Sequence, residues 1–342
     1  MAKPNATYLV RVHSAKMLID HAMKYYGLTY ADFDMPPQLF DYQLKLMPLS
    51  DLESLLCKIE LLTQDPAYTA KLTQSDSLKQ FGPFVQLLAS STNLGMAIKR
   101  MNTIHNALQS GVQVNMLLSG SIAKWRILTP TMLPQARVHE SILAAGSFVR
   151  LLKLFHGDDY QPVAIHLSGN MIGKTEEIEA IFNCPIIWNS PNTQVWFPVK
   201  DITCPRTFEL PTPQVKAFTV EQAMSYMLIP QPQDTLKVVF ELTKYALFFG
   251  YPTLEFVAQK MGMKPLTLQR RLQDQSIAFT DIVHHSICDE AIALMSSGLS
   301  MQHIAQRVGY KNTASFSVAF KRMYGVTPIQ YRNTLITPNK NV

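Results

Sequence analysis

Leu266, Gln269, Arg270 and Gln273 stand at i, i+3, i+4 and i+7 in "PLTLQRRLQDQ" (265–275), a spacing that puts them on one face of a helix. An arginine fork bonds the O6 and N7 of guanine bidentately, and a glutamine amide does the same to the N6 and N7 of adenine. That face has the chemistry to read base edges in a major groove. Leu268 and Leu272 occupy the opposite face and point toward a core, and Pro265 suits the first helical turn. A solvated charged face is the commoner explanation of "QRR" alone. What precedes it decides otherwise.

The stretch before it, "FVAQKMGM" (256–263), is nearly rewritten as "HIAQRVGY" (303–310). Leu254, Val257, Ala258 and Met261 form one apolar helix face, with Thr253 as N-cap and Gly262 as a stop that accepts positive φ. Ser300, Met301, Ile304, Ala305, Val308 and Gly309 repeat the layout, each 47 positions later. A short helix that ends in glycine and is followed at once by another helix is the helix-turn-helix outline. The small Ala258 and Ala305 let two helices approach closely. Two copies, each followed by a basic helix, argue against coincidence. In the second following helix, "NTASFSVAFKRMYG" (312–325), Asn312 is the cap, and Phe316, Ala319, Phe320 and Met323 form the buried stripe. Its outer face is Ala314, Ser315, Val318 and Arg322, flanked by Lys311 and Lys321. That face suits thymine-methyl contact and phosphate anchoring more than a dense hydrogen-bond code.

The remaining chain must position these helices. Its 342 residues suggest two domains, and 47% apolar residues suffice to fill real cores. Net charge is +6 and uneven: residues 234–342 hold 12 Lys+Arg against 7 Asp+Glu, a net of +5, and residues 1–233 hold 19 against 18, a net of +1. Such asymmetry points to nucleic acid or an anionic surface. The longest apolar run (141–155) is broken by Arg150 and Lys153, so no membrane span is expected. The start of the chain lacks a signal-peptide pattern. Cys57, Cys184, Cys204 and Cys288 stand far apart without CxxC spacing, as expected of free thiols in a reducing cytoplasm.

Prolines 205, 211, 213, 230 and 232 punctuate an inter-domain connection, with a short helix expected near 214–228. Before it, helical periodicity runs over 8–26, 48–63, 78–90, 93–109 and 137–156. Strand-like runs cover 112–118, 123–128, 162–167, 185–188 and 194–197. The expected fold is an α+β N-terminal domain (1–205), helices plus a small sheet. A Pro-rich linker (206–233) and an all-α domain (234–335) follow, with two helix-turn-helix units joined by a linker helix over about 279–296.

The stretch 235–332 resembles the DNA-binding domain of the AraC/XylS family of bacterial transcription regulators. The residues that carry the likeness are "LEFVAQKMGMKPLTLQRRLQ", "MQHIAQRVGYKNTASFSVAFKRMYGVTPIQYR" and, within the latter, Ser315-Phe316, Phe320-Lys321-Arg322, Gly325-Val326-Thr327-Pro328 and Tyr331-Arg332. The resemblance places base-reading positions on Leu266, Gln269 and Arg270 in the first unit and on Thr313, Ala314, Ser315 and Val318 in the second. Two departures stand out: many members carry Arg where this chain has Val318, and a Ser cap where it has Lys264. The first unit is therefore expected to supply most of the discrimination. Lys311, Lys321, Arg322 and Arg332 are the phosphate-contact candidates. The front domain is similar to the arabinose-binding-like sensing domain of a subgroup of the family, through "FGPFVQLLASSTNLGMAIKRMNTIHNAL" (81–108) and residues 160–205, with Asn183 where Gly is common. The resemblance implies double-stranded DNA as partner in two adjacent major grooves, and a small-molecule effector of unknown identity. It also allows RNA polymerase and a second copy of the chain as partners.

Other chemistry is present only in outline. The histidines are scattered, with His284 and His285 adjacent and diverging, so no metal site is expected. No Walker, GxGxxG or GxSxG motif appears, so no cofactor and no enzymatic activity are expected. "TCPRT" (203–207) lacks the arrangement of methyl-acceptor cysteines. Trp125, Arg126, Arg137, His139, His166, Trp188 and Trp196 could line an effector pocket, although aromatic residues so spaced are commonly core. The rival readings are a ligand-independent architectural DNA binder and an enzyme with an appended DNA-binding domain.

Overall fold

The computed structural model describes residues 6–41, 45–74, 87–88, 90–129, 132–206, 228–295 and 297–336. The expected helix at 78–90 lies largely outside them, and that at 214–228 does so but for Leu228.

The chain opens with a strand where a helix is expected: β1 (Leu9–Arg11) pairs antiparallel with β2 (Leu46–Pro48), and α1 begins only at Val12 and ends at Tyr26. All three β1 residues are buried, so neither strand face meets solvent and no alternation marks it in the sequence. Two 3₁₀ turns lead to β2, then α2 (Leu49–Thr63) and α3 (Tyr68–Gln74). Next come α4 (Leu94–Leu108), β3 (Gln113–Ser119), β4 (Ile122–Leu128), α5 (Pro134–His156), β5 (Ala164–His166), α6 (Thr175–Phe182), β6 (Ile186–Ile187) and β7 (Thr193–Pro198).

Five strands form one sheet in the order β3-β4-β7-β5-β6, antiparallel except for β5 with β6. Ala123, Trp125 and Ile127 alternate inward on β4, as Thr193, Val195 and Phe197 do on β7. The long α5 lies against this inner face. Phe148 stacks on Trp125 with centroids 3.8 Å apart, and the indole donates to Asn102 Oδ1 at 2.8 Å. Gly146 lies where α5 meets α3: a Cβ there would overlap the Thr73 side chain. His139 is fully buried between Thr69 Oγ1 and Glu60 Oε2, at 3.1 Å from each, and ties α5 to α3 and α2.

From residue 235 onward the chain is helical: α7 (Thr235–Ala246), α8 (Leu254–Lys260), α9 (Pro265–Gln273), α10 (Phe279–Met295), α11 (Met301–Arg307), α12 (Thr313–Tyr324) and α13 (Pro328–Ile336). It holds two apolar clusters. Val238, Leu242, Val257, Leu268, Leu272 and Ile282 belong to one. Val283, Ile287, Leu294, Ile304, Phe316 and Phe320 belong to the other. α10 contributes to both, which makes it the beam that fixes one helix pair relative to the other. No helix among the described residues is long and apolar enough to cross a membrane.

The halves are not independent. Leu9 and Leu46 of the β1–β2 ribbon belong to the first of these C-terminal clusters, and Tyr245 of α7 belongs to the cluster of α1 and α2. Asp51, in the first turn of α2, accepts from Lys260 Nζ at 2.8 Å through both oxygens and from the Tyr245 hydroxyl at 2.7 Å. Burial beside that carboxylate raises the Tyr245 phenol well above its ordinary range. Lys45 pairs with Glu290 of α10, and Arg307 of α11 reaches Asp41 at 3.1 Å.

Candidate nucleic-acid interface

The caps that start the four short helices follow the expected chemistry. Thr253 Oγ1 accepts from Phe256 N at 3.1 Å, Ser300 Oγ from His303 N at 3.2 Å and Asn312 Oδ1 from Ser315 N at 2.8 Å. α9 begins without a side-chain cap, since Lys264 offers no acceptor; Pro265 at its first position has no N–H to satisfy. The turns that end α8 and α11 pass through Gly262 (φ 63°) and Gly309 (φ 87°). Gly309 is doubly constrained, because a Cβ there would sit 3.4 Å from the Cα of Tyr251.

α8–α9 and α11–α12 are thus like pairs with one difference. The first helices correspond at 47 positions, but the buried stripes of the second correspond at 48: Leu268 with Phe316, Leu272 with Phe320. The extra residue lies in the second turn, which runs from Val308 to Asn312 where the first runs from Met261 to Lys264. In the shifted register Arg270 matches Val318 and Gln273 matches Lys321.

Among the described residues, nothing covers either outer face. On α9, Leu266 (57% exposed), Gln269, Arg270 and Gln273 all face solvent. On α12, Ala314, Ser315, Val318 (72% exposed), Lys321 and Arg322 do, with Lys311 just before them. Leucine and valine with over half their surface in water are costly on a free monomer and are the apolar groups that a thymine methyl would cover. Thr313 is half-buried at the first turn of α12. Arg332 is half-buried too, and donates to the Leu299 carbonyl at 3.1 Å, so it ties α13 to the loop before α11 and does not stand on the outer face.

The aromatic candidates for a pocket are otherwise employed. Trp125 is core, Arg126 Nε donates to Asn115 at 2.9 Å, and His166 stacks on Trp196 (centroids 4.3 Å), which Lys124 also covers. Trp188 donates to Thr175 at 3.0 Å. A cavity of about 130 Å³ does open between α1, α4 and α5, lined by different residues, among them His105, Gln109, Glu140 and Ser147. No spacing announced it, since those four residues are spread over 43 positions and two helices with their caps.

Residues 29–206 match the model of the arabinose-binding domain of AraC transcription regulators (N-terminal), and residues 257–334 match that of a helix-turn-helix domain. The chain is 32% identical to the HTH-type transcriptional regulator Mb1430 of Mycobacterium bovis over 36% of this chain and 38% of that protein, well under half of the relative's length. It is 27% identical to VqsM of Pseudomonas aeruginosa over 57% of this chain and 60% of that one. It is 22% identical to VirS of Mycobacterium tuberculosis over 88% of each.

Proposed function

The chain belongs to the AraC family of transcription regulators, and from that premise we propose that it is a sequence-specific DNA-binding regulator whose front domain answers to a small molecule. The observation that carries the reading is the pair of matched, protein-free outer faces on α9 and α12, each the second helix of a capped helix–turn–helix pair and both held by α10. Acting as two helix-turn-helix units, they would enter successive major grooves about 34 Å apart on one side of the duplex. One subunit would then read two short blocks one helical turn apart.

The two faces have different tasks. α9 offers Gln269, Arg270 and Gln273, five or more donors and acceptors suited to purine edges, with Leu266 beside them. α12 offers Val318, Ala314 and Ser315, which suit a methyl-rich block, while Lys311, Lys321 and Arg322 provide phosphate anchors that fix register. Arg332, engaged with Leu299, is left out of the phosphate set.

The test is in-vitro selection of genomic fragments by the full-length protein, with Arg270→Ala alongside. Recovery of sites with two blocks one turn apart is expected, and the variant should lose roughly 1–3 kcal/mol and its preference at one base pair. Uniform weakening on all sequences would remove Arg270 from base reading, and fragments recovered without preference would favour an architectural binder.

A further inference from the structure

The cavity between α1, α4 and α5 contains a buried amide that the fold leaves unsatisfied, beside a carboxyl without a hydrogen-bond donor among the described residues. Glu140, nine-tenths buried on α5, lines it, and no described residue donates a hydrogen bond to its carboxyl. Gln109, also nine-tenths buried, lines it with an amide nitrogen that meets no acceptor. Leaving a buried polar group unmatched costs about 1–3 kcal/mol, so the Gln109 amide is expensive unless something else fills the cavity.

Proton bookkeeping at His105 sharpens the chemistry. The Ser147 hydroxyl donates to the Ala144 carbonyl at 2.7 Å, so in the 3.2 Å contact between Ser147 Oγ and His105 Nε2 the ring must be the donor. Burial keeps that ring neutral by lowering its pKa to about 4. Nδ1 is then an acceptor. The Glu140 carboxyl, the Gln109 amide and the imidazoles of His13 and His105 thus line the cavity, with apolar walls that include Met101, Ile104 and Leu143. Its volume of about 130 Å³ is close to one that holds a benzene, so the occupant has roughly six to eight non-hydrogen atoms.

We propose that this cavity is the effector site and takes a small primary amine, its ammonium between Glu140 and His105, its apolar body along the helix walls and a neutral oxygen on the Gln109 amide. An ammonium supplies three donors and no acceptor, which is what the two acceptors lack. Burial already holds the Glu140 carboxyl up at about 7, so an arriving cation meets a group that readily ionises beside it. Leu52 of α2 is part of the same wall, one residue after the Asp51 that holds Lys260 and Tyr245. Filling the cavity presses on the turn of α2 that grips the first DNA-facing pair.

The word effector rests on the regulator reading above; the site does not, so binding and DNA occupancy are measured separately. Calorimetric titration of the full chain with 5-aminopentan-1-ol and with its neutral isostere pentane-1,5-diol is the first arm. The amine is expected to bind at least tenfold more tightly than the diol. Glu140→Gln should erase that preference, and Gln109→Leu should weaken both probes while keeping it. No binding of the amine at millimolar concentration, or a preference undiminished in Glu140→Gln, overturns the proposal. In the second arm, DNA footprints with and without the amine are compared: changed occupancy supports effector control through this cavity. Unchanged occupancy with binding intact leaves the amine site standing and overturns its role in regulation.

Discussion

Two side chains set the residue-scale expectations. Lys321, exposed on α12 and aligned with Gln273 of α9, should anchor a phosphate. Lys321→Ala is expected to weaken binding evenly on all sequences and to lower the slope of log affinity against log salt by about one unit; titrations at several salt concentrations measure it, and an unmoved slope excludes the contact. Glu140 makes a pH prediction. Its carboxyl titrates at about 7 when folded and near 4.5 when not, because burial outweighs the nearby Arg137. Between those values the folded chain holds more protons, so stability contributed by Glu140 falls as pH rises and is fully lost above about 7. His105 runs the other way: lowered to about 4 by burial from 6.5, it costs stability as pH falls through that window. Glu140→Gln should therefore gain on the order of 3 kcal/mol at pH 8 and nothing at pH 4, and should lose the fall in stability that Glu140 causes in between, as read from denaturant melts. At this scale much was legible. Caps, stripes and outer faces follow from spacing, because a helix fixes which residues share a side. Arg332 was not, because its partner is a carbonyl 33 positions away that only the packed domain brings near.

Among elements, the five strands of the large sheet and most helices of the front domain came within a few residues of their expected bounds, since β4 and β7 alternate cleanly and α5 is long. β1 and β2 escaped: three buried residues each leave neither face in solvent, so no period of two marks them. The extra residue of the second turn escaped for a related reason, because the 47-residue repeat is carried by the first helices and only the burial of Phe316 and Phe320 exposes the shift. The α3–α5 contact gives a prediction of its own. Gly146 is mid-helix, where alanine is the better helix former by about 1 kcal/mol, yet a Cβ would strike Thr73. Gly146→Ala is expected to destabilise by about 1–3 kcal/mol in thermal melts. A stabilised variant would mean that α3 can withdraw without cost.

For the whole molecule, composition sets a nearly neutral front against a basic back, but nothing in it announced how the two are joined. The joint is a carboxylate, Asp51, that serves an ammonium and a phenol of the other half at once. A double-mutant cycle of Asp51→Asn and Lys260→Met should give a coupling of about 1–2 kcal/mol in unfolding free energy, since both groups are largely shielded from solvent. Additive effects would show that the ion pair holds nothing together.

The β1–β2 ribbon has a consequence in time. Leu9 emerges from the ribosome 229 positions ahead of Val238 of its apolar cluster. At about 5–20 residues per second, Leu9 and Leu46 must wait more than ten seconds before the rest of that core exists. The apolar cluster under α7–α9 is therefore completed only after both distant parts of the chain have been made.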